Sequence, residues 1–196
     1  GLIVQYLIEI APEDGNATAR EVRSLRVATQ PEGCVVDDKA GALFVGEEDA
    51  GIWRFDASAD GAAQGTLIAR TRPEGELVAD VEGLAIYRGD TEQEGYLVAS
   101  SQGDNTYAVF DRAAPHSFRG RFQVRFDGDI IGDTDGLEVT SAPLGDDFPR
   151  GLLVVQDGFV RTGGRLGMQE LTGERRFQRF AYISWADVEA ALNLSD

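Results

Sequence analysis

Asp80-Val81-Glu82-Gly83-Leu84-Ala85-Ile86 is a phrase that this chain states three times. Gln30-Pro31-Glu32-Gly33-Cys34-Val35-Val36 comes before it, and Asp133-Thr134-Asp135-Gly136-Leu137-Glu138-Val139 after it. Each time a carboxylate directly precedes a glycine and an apolar, strand-like run follows. Gly33, Gly83 and Gly136 recur at intervals of 50 and 53 residues. Each phrase has a second half: Gly41 to Asp49, Gly95 to Gly103 and Gly151 to Gly158, all apolar runs ending in polar turns. Ile52-Trp53-Arg54-Phe55-Asp56 and Tyr107-Ala108-Val109-Phe110-Asp111 close the first two units. A repeat of about 40 to 50 residues, made of short strands and glycine-rich turns, is the signature of propeller blades. The chain therefore reads as all-β, a β-propeller of four-stranded antiparallel blades, with about three and a half blades present. The repeats fall near residues 22–60, 66–112 and 121–185, and a short helix capped by Ser184 is expected over 185–192.

Radial stacking places equivalent turns of successive blades around one axis. Three carboxylate-glycine turns then converge on one mouth of the ring. Like charges so gathered repel one another unless a cation sits among them.

The chain has 196 residues, enough for one domain with a core. A ring of six such units would need roughly 300 residues, and an open half-ring would leave two bare sheet edges. The expectation is a single, partial propeller domain over 1–196, with its remaining blades upstream. The formal net charge of −16 argues against nucleic acid and anionic membrane surfaces as partners. No apolar stretch approaches the length of a membrane span, and no signal peptide is visible. Cys34, the only cysteine, lies in an apolar run and reads as a small core residue. His116, the only histidine, sits beside Pro115 and reads as an exposed loop residue. Trp53 and Phe55 alternate with polar neighbours and read as core. Phe159 to Arg176 reads as loop.

The candidate site is the set of carboxylates Glu32, Glu48, Glu82, Asp129, Asp133 and Asp135, with Asp80, Gln102 and Asp157 behind them. All offer hard oxygen ligands, which calcium prefers; zinc or copper would want histidine or cysteine. Asp129 to Asp135 carries three acids in seven residues, a calcium-loop composition without the glutamate that closes an EF-hand. A single Asp-Gly or Glu-Gly pair is an ordinary turn former; three in register point to Ca²⁺. Such ions could lock the fold, or could bridge an anionic substrate and activate water. The spacing leaves both open.

The runs from Glu32 to Asp38, Glu47 to Trp53, Asp80 to Leu84, Tyr96 to Gly103, Asp133 to Gly136 and Gly151 to Gly158 together resemble the C-terminal half of the β-propeller phytases. The resemblance extends from about Val22 to Leu192. It implies a six-bladed propeller with several calcium ions at the top of its channel. Those ions would bind phytate (myo-inositol hexakisphosphate) at two neighbouring subsites, one of which cleaves by calcium-activated water. Glu32, Glu48, Glu82, Asp129 and Asp135 match the family's acidic ligands, and Asp80, Gln102 and Asp157 match further ligand positions. Asp133 joins them from its place in the acidic run. Glu48, Glu82 and Asp135 are the residues expected to serve catalysis.

The function implied is a calcium-dependent phosphomonoester hydrolase of the 3-phytase type, acting on phytate or other inositol phosphates as calcium complexes. The family also implies a secreted or periplasmic protein. Two alternatives stand beside it. One is a non-catalytic, calcium-stabilised propeller or incomplete phytase-like domain used for binding. The other is another propeller hydrolase, such as a calcium-dependent lactonase.

Overall fold

Along Ala42-Leu43-Phe44-Val45, neighbouring side chains point to opposite faces of a strand, and both faces are covered. Ala42 and Phe44 join one core cluster, Leu43 and Val45 another. A strand apolar on both faces must lie in a sheet packed between two layers. The computed structural model describes residues 1–91, 93–158, 160–162, 165–167 and 179–194, and these are nearly all β.

Strands β1 (Leu2–Ile10) and β2 (Ala17–Arg26) form a hairpin. Strands β3 (Pro31–Asp37), β4 (Ala42–Glu47), β5 (Gly51–Asp56) and β6 (Thr66–Arg70) follow as a four-stranded antiparallel meander. A second meander comprises β7 (Val81–Arg88), β8 (Gly95–Ser101), β9 (Thr106–Asp111) and β10 (Phe118–Phe122). The hairpin of β11 (Val124–Phe126) and β12 (Asp129–Ile131) leads to β13 (Leu137–Thr140) and β14 (Leu152–Asp157). A small hairpin of β15 (Val160–Thr162) and β16 (Arg165–Gly167) precedes β17 (Arg179–Ser184), which completes a three-stranded sheet in the order β13-β14-β17. Helix α1 (Trp185–Leu192) comes last. Among the described residues no helix is long and apolar enough to cross a membrane.

The sheets are thus those of a propeller-type all-β fold. Their edges fall later than the repeats in the sequence. Thr66–Arg70 is the outer strand of the first sheet and Phe118–Phe122 that of the second. Long loops precede both strands, so alternation alone does not say which sheet each one joins. The expected loop over Phe159 to Arg176 contains β15 and β16; its other residues lie outside the described ones.

The sheets stack face to face. Leu84, Ile86, Leu97, Ala99, Ala108 and Phe110 of the second sheet meet Ala42, Phe44, Ile52 and Val35 of the first. The opposite face, with Ala85, Tyr87, Val98 and Tyr107, packs on Val139, Leu153, Val155 and Trp185. Each large apolar side chain so buried contributes about 1.5–3 kcal/mol. Trp185 anchors α1 by stacking on Tyr87, with centroids 4.1 Å apart and planes 12° from parallel. Ser184 holds the N-cap position of α1, but its hydroxyl makes no capping hydrogen bond.

An ion pair fastens the first sheet to the second. Asp37, at the end of β3, accepts from Arg112 Nε at 2.5 Å and Nη2 at 2.7 Å, with both side chains 1% exposed. Burial alone would raise the Asp37 pKa. The bonds and charge of Arg112, with help from the Ala40 amide and Arg88, hold it below the usual range.

Two expectations from sequence are overturned. Cys34 is exposed, because Cys34 and Val36 share the open face of β3 while Val35 packs against the second sheet. His116 is buried, 7% exposed, with its ring edge-on to Phe44 at 5.3 Å. The loop carrying it folds back onto the first sheet. Phe55 is buried as expected, and Trp53 packs on it half-buried.

Candidate metal centre

The repeated carboxylate-glycine pairs lie on the innermost strands, where the backbone bulges. The pairing of β3 with β4 shifts register between Pro31 and Cys34, and that of β7 with β8 shifts between Val81 and Leu84. Each bulge contains one Glu-Gly pair: Glu32-Gly33 and Glu82-Gly83. A bulge turns a side chain away from the regular pleat. In the third unit Asp135-Gly136 sits just before β13, and Gln156 donates its backbone N–H to Gly136 O at 3.0 Å. Two of the three expected turns are therefore bulged strand segments.

The glycines let successive inner strands touch. A β-carbon on Gly33 would stand 2.8 Å from Gly83 Cα, and one on Gly83 would stand 2.9 Å from Leu137 N. Neither distance is tolerable for a real side chain. The preceding carboxylates are consequently brought side by side.

Glu32, Glu48 and Glu82 each place a carboxylate oxygen so that all three lie within 4.8 Å of one another. Glu82 is 7% exposed, and its pKa is pushed up to about 7. Burial is the largest cause; the charges of Glu32, Asp135, Glu48 and Asp80 follow. The Glu48 pKa is raised too, by burial first and then by Asp80, Glu32 and Asp49. Four of the other expected residues, Glu32, Glu48, Asp80 and Asp135, thus act on Glu82 electrostatically. No positive group offsets Glu82 or Glu48 among the causes of either shift.

Gln102 and Asp135 are joined: Gln102 Nε2 donates to Asp135 Oδ1 at 3.0 Å. Asp80 flanks the cluster through the backbone, its carbonyl accepting Gln102 N–H at 2.9 Å while Val81 N–H reaches Glu48 O at 3.1 Å. Asp133 stands outside the trio with φ +50°, its N–H bound to Asn105 Oδ1 at 2.8 Å. Asp129 opens β12, opposite Phe126.

Asp157 is brought to a different environment. Its strand register matches it to Glu47 and Ser101, since Leu137↔Val155, Cys34↔Val45 and Leu84↔Ala99 are equivalent pairs. All three residues are buried. Arg179 binds Asp157 Oδ2 at 2.6 Å. Glu47 likewise serves the scaffold, accepting from Thr29 N at 2.5 Å and Trp53 Nε1 at 2.6 Å. Burial pushes the Glu47 pKa up, but these donors outweigh it and hold it low.

Thr134 and Gln156 were missed from sequence, and both support the third acidic turn. Thr134 is 2% and Gln156 6% exposed. The only signal in the sequence is their position inside the third phrase and its second half.

The donor set is all oxygen, the neighbouring charges that act on it are carboxylates among the described residues, and one carboxylate is held near pKa 7. Such a set fits a hard divalent cation such as Ca²⁺. Fold and site define the class, a propeller-type β-protein with a carboxylate cluster where its inner strands meet. A family model described as Phytase matches residues 2–195. The chain is 36% identical over 177 residues to the 3-phytase of Bacillus subtilis (strain 168), an alignment covering 89% of this chain and 43% of that protein. The chain belongs to the phytase family. It spans less than half the length of the curated relative it matches.

Proposed function

We propose that this chain forms part of a calcium-dependent phytase, a phosphomonoester hydrolase that releases phosphate from phytate or related inositol phosphates. The observation that carries the reading is the meeting of Glu32, Glu48 and Glu82 within 4.8 Å, with Glu82 raised to about 7. Family membership supplies the reaction class. The rest of a six-bladed propeller would be supplied by the remainder of the protein, and the family resemblance suggests a secreted or periplasmic setting.

Glu32, Glu48 and Glu82 would hold a first calcium ion, with Asp80, Gln102 and Asp135 at its margin. Asp129, Asp133 and Asp157 remain proposed ligands of the wider site. Calcium bound there supplies a Lewis acid that offsets phosphate charge and makes water a better nucleophile. The chain's own residues set the conditions. Glu82 must give up its proton before it can ligate, so cation uptake releases that proton. Glu32 and Asp135, both exposed, face solvent where a polyanion could approach. Without cations the cluster would repel phytate, because Glu32, Asp135, Glu48 and Asp80 crowd Glu82 with like charge.

The test is phosphate release from calcium phytate by this chain and by the longer protein, with and without a chelator. Release that stops in chelator, and in Glu82→Gln, supports the reading. Calcium binding without phosphate release by either protein would favour a non-catalytic propeller.

A further inference from the structure

We propose that Gln156 is the positioning residue of the third acidic turn, fixing the carboxylate of Asp135 in place. The inference rests on the cation-site reading above. Gln156 is buried at the end of β14, and it grips the turn at several atoms. Its Oε1 accepts the N–H of Asp135 at 2.9 Å and of Gly136 at 3.2 Å. With two N–H groups bound to that oxygen, the other end of the amide must be nitrogen. Nε2 donates to Asp135 Oδ2 at 3.3 Å. The backbone of Gln156 closes the turn, accepting the Thr134 hydroxyl at 2.7 Å and donating to Gly136 O at 3.0 Å.

A buried chain of hydroxyls holds this grip in place. Because Thr134 Oγ donates to Gln156 O, it receives its partner's proton, that of Tyr107 OH at 2.7 Å. Burial pushes the Tyr107 pKa up to about 12, so the phenol keeps that proton. Ser100 Oγ donates to Thr134 O at 2.8 Å. On the other side, Gln102 Nε2 holds Asp135 Oδ1. Each carboxylate oxygen of Asp135 therefore carries one amide donor, from β14 and from the turn after β8.

The kind of donor matters. Arginines hold Asp37 and one oxygen of Asp157. Gln102 and Gln156 offer Asp135 neutral amides, which orient a carboxylate without adding charge. Partners of this sort commonly change metal affinity about 10- to 100-fold when removed.

The experiment is a calorimetric calcium titration of the chain as wild type, Gln156→Leu, Asp135→Asn and the double variant. Each single change should weaken calcium binding about ten-fold or more. The double variant should bind no more weakly than Asp135→Asn, because Gln156 acts through Asp135. Effects that multiply would overturn the proposal. Gln156→Glu guards against misfolding, since it keeps the oxygen that accepts from Asp135 and Gly136. It adds a negative charge while losing the donor, so a purely electrostatic role predicts tighter calcium binding and positioning predicts weaker binding. Binding that is unchanged or tighter in Gln156→Glu overturns the positioning role. If Asp135→Asn leaves affinity unaltered, the cation-site reading itself fails.

Discussion

Gly33 lies so close to Gly83 that a β-carbon on Gly33 would stand 2.8 Å from the Gly83 Cα and 2.8 Å from Leu84 N. Both obstacles are backbone, which cannot rotate aside. This contact between inner strands sets the separation of Glu32 and Glu82. Gly33→Ala should destabilise the fold by about 1–3 kcal/mol through overpacking and weaken calcium binding along with it. Urea unfolding in chelator, paired with a calcium titration, checks both. A variant of wild-type stability would show that the strands can part freely.

Glu82 makes the metal-free protein sensitive to rising pH. Its folded pKa of about 7 lies above the ordinary glutamate value of 4.5, so the folded state holds the proton more tightly than the unfolded one. Stability from this group is full below pH 4.5 and is lost as pH climbs through 7. The loss is on the order of 3 kcal/mol at complete ionisation. In chelator, the melting temperature should fall between pH 5 and 8, and calcium should restore it at the upper end. A flat profile in chelator would remove the basis for a crowded carboxylate cluster.

Glu82→Gln removes the charge that suffers most from its neighbours. The metal-free variant should melt higher than wild type at pH 7.5 and gain little from added calcium. Differential scanning calorimetry with and without calcium measures the two effects at once.

Asp37 and Arg112 tie β3 to the end of β9 across the first two sheets. Asp37→Ala leaves a buried guanidinium without its carboxylate and should cost about 3–5 kcal/mol. Arg88 reaches the same Asp37 at 3.2 Å but is 40% exposed; Arg88→Ala should cost under about 1 kcal/mol. Chemical denaturation of the two variants makes the comparison, and equal losses would contradict the assignment.

His116 acts at the acid limb. Burial lowers its pKa below 6.5, and its Nε2 is buried without a hydrogen bond. The unfolded chain takes up the proton more readily than the folded one, so stability is lost as pH falls below about 6.5. His116→Phe should retain stability near neutral pH and flatten this part of the profile. Unfolding midpoints at pH 5 and 7.5 test it.

Much of the fold was legible because its cause is periodic. The carboxylate-glycine phrase recurs, the apolar runs alternate, and both reflect strands buried on two faces. Glu32, Glu82 and Asp135 were legible for the same reason, since equivalent positions in stacked sheets lie beside one another. Cys34 and Val35 show the limit: both are apolar neighbours on one strand, and only packing against the second sheet decides which is covered. His116 was misread because a loop's neighbours come from another sheet.

Glu47, Glu48 and Asp157 mark the division most sharply. By itself the sequence determined that this chain repeats a strand unit and gathers carboxylates at equivalent points of it. Which of two adjacent glutamates faces the cluster and which faces Trp53 was decided by the tertiary structure, because strand neighbours point to opposite sides. That Asp157 meets Arg179 while Asp135 meets two amides was likewise a matter of register between strands far apart in the chain. Local pattern encodes the period of a sheet; the partner each charge finds depends on distant backbone brought within a few ångströms.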